Sequence, residues 1–77
     1  MEIFVNGETP FKPAKDCFSV AGTTSGYQIA YSADGENWTL DDDAVVPAGE
    51  NLIYLGCMPS AWYKLSGNVD DNVIVIK

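Results

Sequence analysis

The chain contains no histidine and no arginine, and its only basic side chains are Lys12, Lys15, Lys64 and Lys77. Each absence removes a class of chemistry. Without His there is no general base poised near neutral pH, no Ser–His or Cys–His nucleophile pair, and little to hold zinc or copper. The expectation is therefore a protein that is not an enzyme and that carries no metal and no cofactor. Eleven acidic residues against four lysines leave a net charge of -7. Nucleic acid needs a basic stripe and anionic lipid needs a basic patch, so neither is expected as a partner.

Long apolar runs are also missing. The longest are short pieces such as Leu52 to Leu55 and Val73 to Ile76, far below the ~20 residues that span a bilayer. No membrane association is expected. The opening Met-Glu-Ile-Phe-Val-Asn-Gly has neither a basic n-region nor a hydrophobic h-region, which reads as synthesis in the cytoplasm. In that reducing setting Cys17 and Cys57 read as small apolar fillers, with a single bridge across most of the chain as the alternative.

What the sequence has in quantity is punctuation. Seven glycines and four prolines divide the 77 residues so finely that the longest piece free of both is Glu36 to Val46, which itself holds Asp41-Asp42-Asp43. No helix of ordinary length fits, and short segments between turn formers are the pattern of an all-β domain. Period-two reading places strands at Glu2 to Val5, Asp16 to Ala21, Tyr27 to Ser32, Asn37 to Leu40, Asn51 to Leu55, Ala61 to Ser66 and Asn72 to Lys77. Seven short strands predict a small antiparallel β-sandwich or barrel-like domain. With no repeat and no linker, residues 1–77 form one domain: a strand with a Pro-containing arm over 1–15, then a β body over 16–77. The arm is expected either along a neighbouring surface or as a surface loop.

Tyr27, Ile29 and Tyr31 fall on one face and Gln28, Ala30 and Ser32 on the other, as in a sheet that covers a core on one side. Val73, Ile74, Val75 and Ile76 are apolar on both faces, so their strand is either central or covered by another subunit. The second alternative is preferred, which makes these four residues interface candidates. Alternation through Met58 to Leu65 puts Tyr63 and Leu65 in the core and Trp62 outside, a fifth interface candidate.

The most specific local pattern is Tyr31-Ser32-Ala33-Asp34-Gly35-Glu36-Asn37-Trp38-Thr39. It predicts a hairpin with Asp34-Gly35 as a two-residue turn, the Asp34 carboxylate accepting from turn amides and Trp38 packing back onto Tyr31 or Ile29. The turn resembles the Ser-x-Asp-x-Gly-x-x-Trp turn of sialidase-type propellers, shortened by one residue before the glycine, and Ser32, Asp34, Gly35 and Trp38 are assigned an architectural role. Asp41-Asp42-Asp43 and Asp70-Asp71-Asn72 lack the alternating ligand spacing and central glycine of a calcium loop and are expected to be solvated loops. A glycosidase carboxylate pair finds no cleft-building insertion in a chain of this length.

Taken as a series, Gly26 to Thr39, then Pro47-Ala48-Gly49-Glu50-Asn51, then Trp62-Tyr63-Lys64-Leu65-Ser66-Gly67-Asn68 resemble small virion proteins of tailed bacteriophages, of the head-fibre or capsid-decoration type, over roughly residues 26 to 77. The resemblance implies a non-enzymatic accessory protein of the phage particle that stabilises or decorates the shell. It would act as a homo-oligomer, with a trimer preferred, and dock on the major capsid or another virion protein. Its location would be the virion, after synthesis in the bacterial host cytoplasm. The rival is a carbohydrate-binding module in which Trp62, Tyr63 or Trp38 stacks on sugar rings; a third reading is a calcium-stabilised adhesion domain.

Overall fold

Short apolar stretches that cannot bury both faces alone must stack in layers, and here they form two antiparallel sheets. The structure is a computed structural model, and it describes residues 2–69, 71 and 74–77. Its seven strands are β1 (Ile3–Val5), β2 (Cys17–Ala21), β3 (Tyr27–Ser32), β4 (Thr39–Val46), β5 (Leu52–Leu55), β6 (Trp62–Ser66) and β7 (Ile74–Ile76). One sheet runs β1-β7-β2-β5 and the other β4-β3-β6. The arrangement is a sandwich and is not closed into a barrel. Its surface of 4488 Å² sits at the roughly 4,600 Å² that size scaling gives for a folded chain of this mass.

The core lies between the sheets. Val5, Phe18, Val20, Ile74 and Ile76 enter it from the four-stranded sheet, and Tyr27, Ile29, Ala44, Val46, Tyr63 and Leu65 from the three-stranded one. Phe11 and Cys57 reach it from loops. Phe18 is the hub of the aromatic part, with its ring centroid 5.2 Å from Phe11, 5.0 Å from Tyr54 and 5.5 Å from Tyr63.

Four expectations are corrected by this architecture. β7 is an internal strand, pairing Val5↔Ile74 and Ile3↔Ile76 with β1 and Val20↔Ile76 with β2. Ile74 and Ile76 are therefore core side chains with no surface to offer a partner; Val75 alone of that strand faces outward, and Val73 lies outside the described residues. The arm is a loop, but one anchored to its own domain rather than free to reach a neighbour: Phe11 bridges Tyr63 with reciprocal backbone bonds of 2.8 and 2.9 Å and is 3% exposed. Its apolar ring outweighs the flanking prolines, which need no ladder bonds of their own.

Third, Asp41, Asp42 and Asp43 belong to β4 rather than to a loop. Between the pairs Gln28↔Val45 and Ala30↔Leu40 there is one residue on β3 and four on β4, so the acidic segment bulges outward while remaining in the strand. An edge strand lets its carboxylates stay in water, so β propensity is overridden at no desolvation cost. Gln28 Nε2 donates to the Asp41 carbonyl at 3.1 Å and pins the bulge. Fourth, the turn after β3 is six residues long, 33 to 38, and only Gly35 within it has a positive φ, +78°. Asp34 thus keeps an ordinary backbone, and no two-residue turn forms.

Candidate functional site

The residues singled out by sequence fall on three separate surfaces. The first is the turn. The Asp34 carboxylate accepts from Ser32 Oγ (2.8 Å), from the amides of Glu36 (2.8 Å) and Asn37 (2.9 Å), and from Asn37 Nδ2 (2.8 Å). Ser32 Oγ in turn accepts from the Gly35 amide at 2.9 Å. Backbone and side-chain donors, the Asn37 amide first, hold the Asp34 carboxyl far below the usual carboxylate range. Three of these bonds converge on Oδ1 and the fourth holds Oδ2, so the carboxylate is tied to the turn through both oxygens.

The second surface is the outer side of the three-stranded sheet, where Ala30 lies between Lys64 and Leu40 and Ser32 lies beside Trp62. Both tryptophans are half-buried and each has a lysine on its ring: Lys12 Nζ is 4.8 Å from the Trp62 centroid, and Lys64 Nζ is 4.5 Å from that of Trp38. Trp38 accordingly faces Lys64, away from the Tyr31 and Ile29 side that sequence assigned to it. Trp62, the expected open anchor, is covered on one face by the arm's lysine and lies at contact distance from Gly35. Tyr63 is buried, with its hydroxyl accepting from the Met58 amide at 2.8 Å. The three aromatics expected to stack on sugars are thus engaged within the fold. Sequence overlooked a groove of about 510 Å³ between β3, β4 and β5, which Tyr31, Tyr54, Met58, Thr39 and Asn37 line.

The third surface is the outer side of the four-stranded sheet. Alternation turns Phe4, Val75, Ala21, Ser19, Cys17, Ile53 and Leu55 outward, in register as Phe4↔Val75, Val75↔Ala21, Ser19↔Ile53 and Cys17↔Leu55. None of the seven is charged. Phe4 is 64% exposed, Ile53 74% and Leu55 76%, together on the order of 400 Å² of apolar side chain, given ~150–250 Å² for a whole aromatic residue. On a chain of charge -7, an apolar strip of this size calls for a partner. Charge enters it at one place: Lys77, bonded backbone to backbone with Ser19 in both directions at 3.0 Å, lines a cleft on this face with Glu2, Lys15, Cys17 and Ile53. Sequence had found only Val75 of the strip, because which face of a strand is covered depends on its neighbours.

The acidic and cysteine expectations resolve locally. Asp71 is buried: it accepts from the Thr24 hydroxyl, from the amides of Thr24 (2.9 Å) and Ser25 (3.1 Å), and from Asn68 Nδ2 (2.7 Å). The Thr24 hydroxyl and then Asn68 hold its carboxyl far below the ordinary range. It is a structural clamp rather than a member of a solvated loop, while Asp70 and Asn72 lie outside the described residues. No group of three or more metal-ligating side chains comes together among the described residues. Cys17 and Cys57 are free thiols, Cys57 buried with its Sγ donating to the Lys15 carbonyl at 3.2 Å and its pKa pushed up by burial. No helix among the described residues is long and apolar enough to cross a membrane. No family model, no curated protein and no solved structure matches the chain.

Proposed function

We propose that the chain is a non-enzymatic accessory protein of a bacteriophage particle, a decoration or head-fibre module that attaches through the outer face of its four-stranded sheet. The observation that carries this reading is the apolar strip of Phe4, Val75, Ile53 and Leu55, with Lys77 beside Ser19 on the same face, on a chain of net charge -7. Its area per copy is about half of the ~800 Å² that one partner contributes to a standard interface. A single contact of that size is weak, so attachment depends on many copies bound side by side, where avidity supplies what one patch lacks. The remaining negative charge keeps decorated particles apart. The resemblance of Gly26 to Thr39 and of Trp62 to Asn68 to small virion proteins supports the same reading.

Carbohydrate binding is a second reading, and the groove beneath Tyr31 favours it in place of the tryptophans. Purified particles separate the two readings. Attachment predicts that the protein copurifies with intact particles at high copy number and that Phe4→Lys releases it. Glycan-array binding lost on Tyr31→Ala, with no copurification, would transfer the function to the groove.

A further inference from the structure

A sandwich of two open sheets has four strand edges, and an uncovered edge is a template for another strand. Three of the four are blunted. β4 carries Asp41, Asp42 and Asp43 and bulges at that point. β6 is capped by the arm through the Phe11–Tyr63 bridge. β1 is three residues long and follows Glu2. β5 has none of these protections. Residues 51–56, Asn-Leu-Ile-Tyr-Leu-Gly, carry no charge, and among the described residues β5 has a hydrogen-bonded neighbour on one side only, β2.

We infer that β5 pairs antiparallel with β5 of a second copy of this chain, fusing two four-stranded sheets into one of eight strands across a two-fold axis. A second copy fits better than an unrelated segment for two reasons. Two chains of charge -7 repel wherever acidic surfaces meet, and residues 51–56 add no charge of their own to that repulsion, the Asp41 carboxylate beside them being engaged by the Tyr54 hydroxyl. The edge is also self-complementary. Opposed residues of an antiparallel pair share a face, so a face-matching register is centred on a residue, and the centres that keep most of β5 paired are Ile53 and Tyr54. Centring on Ile53 sets Leu55 against Asn51 of the other copy. Centring on Tyr54 sets Ile53 against Leu55 twice, apolar against apolar, and that register is the one assigned.

The pairing deepens the attachment reading while resting on a different feature, the edge rather than the face. Two outward faces become continuous across the axis, and the exposed apolar strip doubles to on the order of 800 Å², one full side of a standard interface.

Sedimentation equilibrium of the intact protein, combined with amide exchange across a concentration series, tests the pairing. A dimeric mass is expected, with exchange of residues 51–56 slowing as concentration rises while that of β1 stays constant. Ile53→Lys, a variant whose folding is checked by its near-ultraviolet dichroism, is expected to weaken dimerisation at least about tenfold, since lysine is the usual blocker of edges. Phe4→Lys, on the same face but at the far edge, is expected to leave the dimer intact while releasing particle attachment. A monomeric mass with concentration-independent exchange overturns the pairing. So does a trimeric mass, or a dimer lost on Phe4→Lys and retained on Ile53→Lys. A β5 dimer that fails to copurify with particles would sink the attachment reading and leave the edge pairing standing.

Discussion

Replacing Phe11 with alanine separates a structural arm from an ornamental one. Phe11 is 3% exposed, and its ring meets Phe18 edge-on at 5.2 Å and Tyr63 at 6.5 Å. Truncating a buried Phe to Ala costs about 3–5 kcal/mol through lost burial and the cavity left behind. The edge-on contact with Phe18 places the expected value in the upper half of that range. The whole domain has only about 4–12 kcal/mol of stability at ~0.05–0.15 kcal/mol per residue. The substitution therefore removes a large share, and at ~4–8 °C per kcal/mol a loss of about 4–5 kcal/mol lowers the melting temperature by about 16–40 °C. Urea unfolding followed by tryptophan fluorescence is the assay, because Trp62 lies under Lys12 of the same arm and reports its detachment. Lys12→Ala is the internal control: an exposed cation over an aromatic ring contributes about 0.5–1 kcal/mol. If Phe11→Ala costs no more than Lys12→Ala, the arm is not docked and the reasoning fails.

Two further predictions follow from the turns and the clamp. Asp34 and Asp71 both titrate below their unfolded range near ~4. Their contribution is fully present above pH ~4 and is lost as pH falls through the lower folded values, so stability drops steeply in acid. Asp71→Asn should lower stability at neutral pH and flatten that acid limb in urea titrations carried from pH 7 down to about 2, below the unfolded carboxylate range; a limb unchanged in slope would remove Asp71 from the account. Gly35→Ala should cost about 1 kcal/mol, chiefly backbone strain at φ +78°. An added Cβ there would sit 3.4 Å from the Trp62 ring, which is ordinary contact, so calorimetry showing no loss would mean that the turn relaxes freely.

Legibility in the sequence followed the distance over which each feature is determined. Strands bounded by Gly, Pro and Asn-Gly pairs are local matters, and six of the seven expected spans overlap the observed strands closely. The bonds between Ser32 and Asp34 span two residues and need nothing else in the chain. Tyr63 and Leu65 alternate with Trp62 and Lys64 whatever lies opposite. By contrast, β4 reaches Val46 because Gln28 and Val45 pair, which three adjacent aspartates do not advertise. Asp71 is buried because Thr24 and Ser25, 47 and 46 residues away, bring donors to it. Val75 and Ile53 come to share a face only through β2 lying between them. The apolar outer strip is a product of strand order, and strand order is what periodicity leaves undetermined.

That strand order also governs when the molecule can come into being. Among the described residues β1 has a single hydrogen-bonded neighbour, β7, which follows the other six strands in the chain. Until Ile74 to Ile76 exist, the first strand has nothing to zip onto and the β2–β5 ribbon stands with one flank bare. Closure of this sheet is therefore held back until β7 has been made, and a chain interrupted before Ile74 forfeits an internal strand of the sheet.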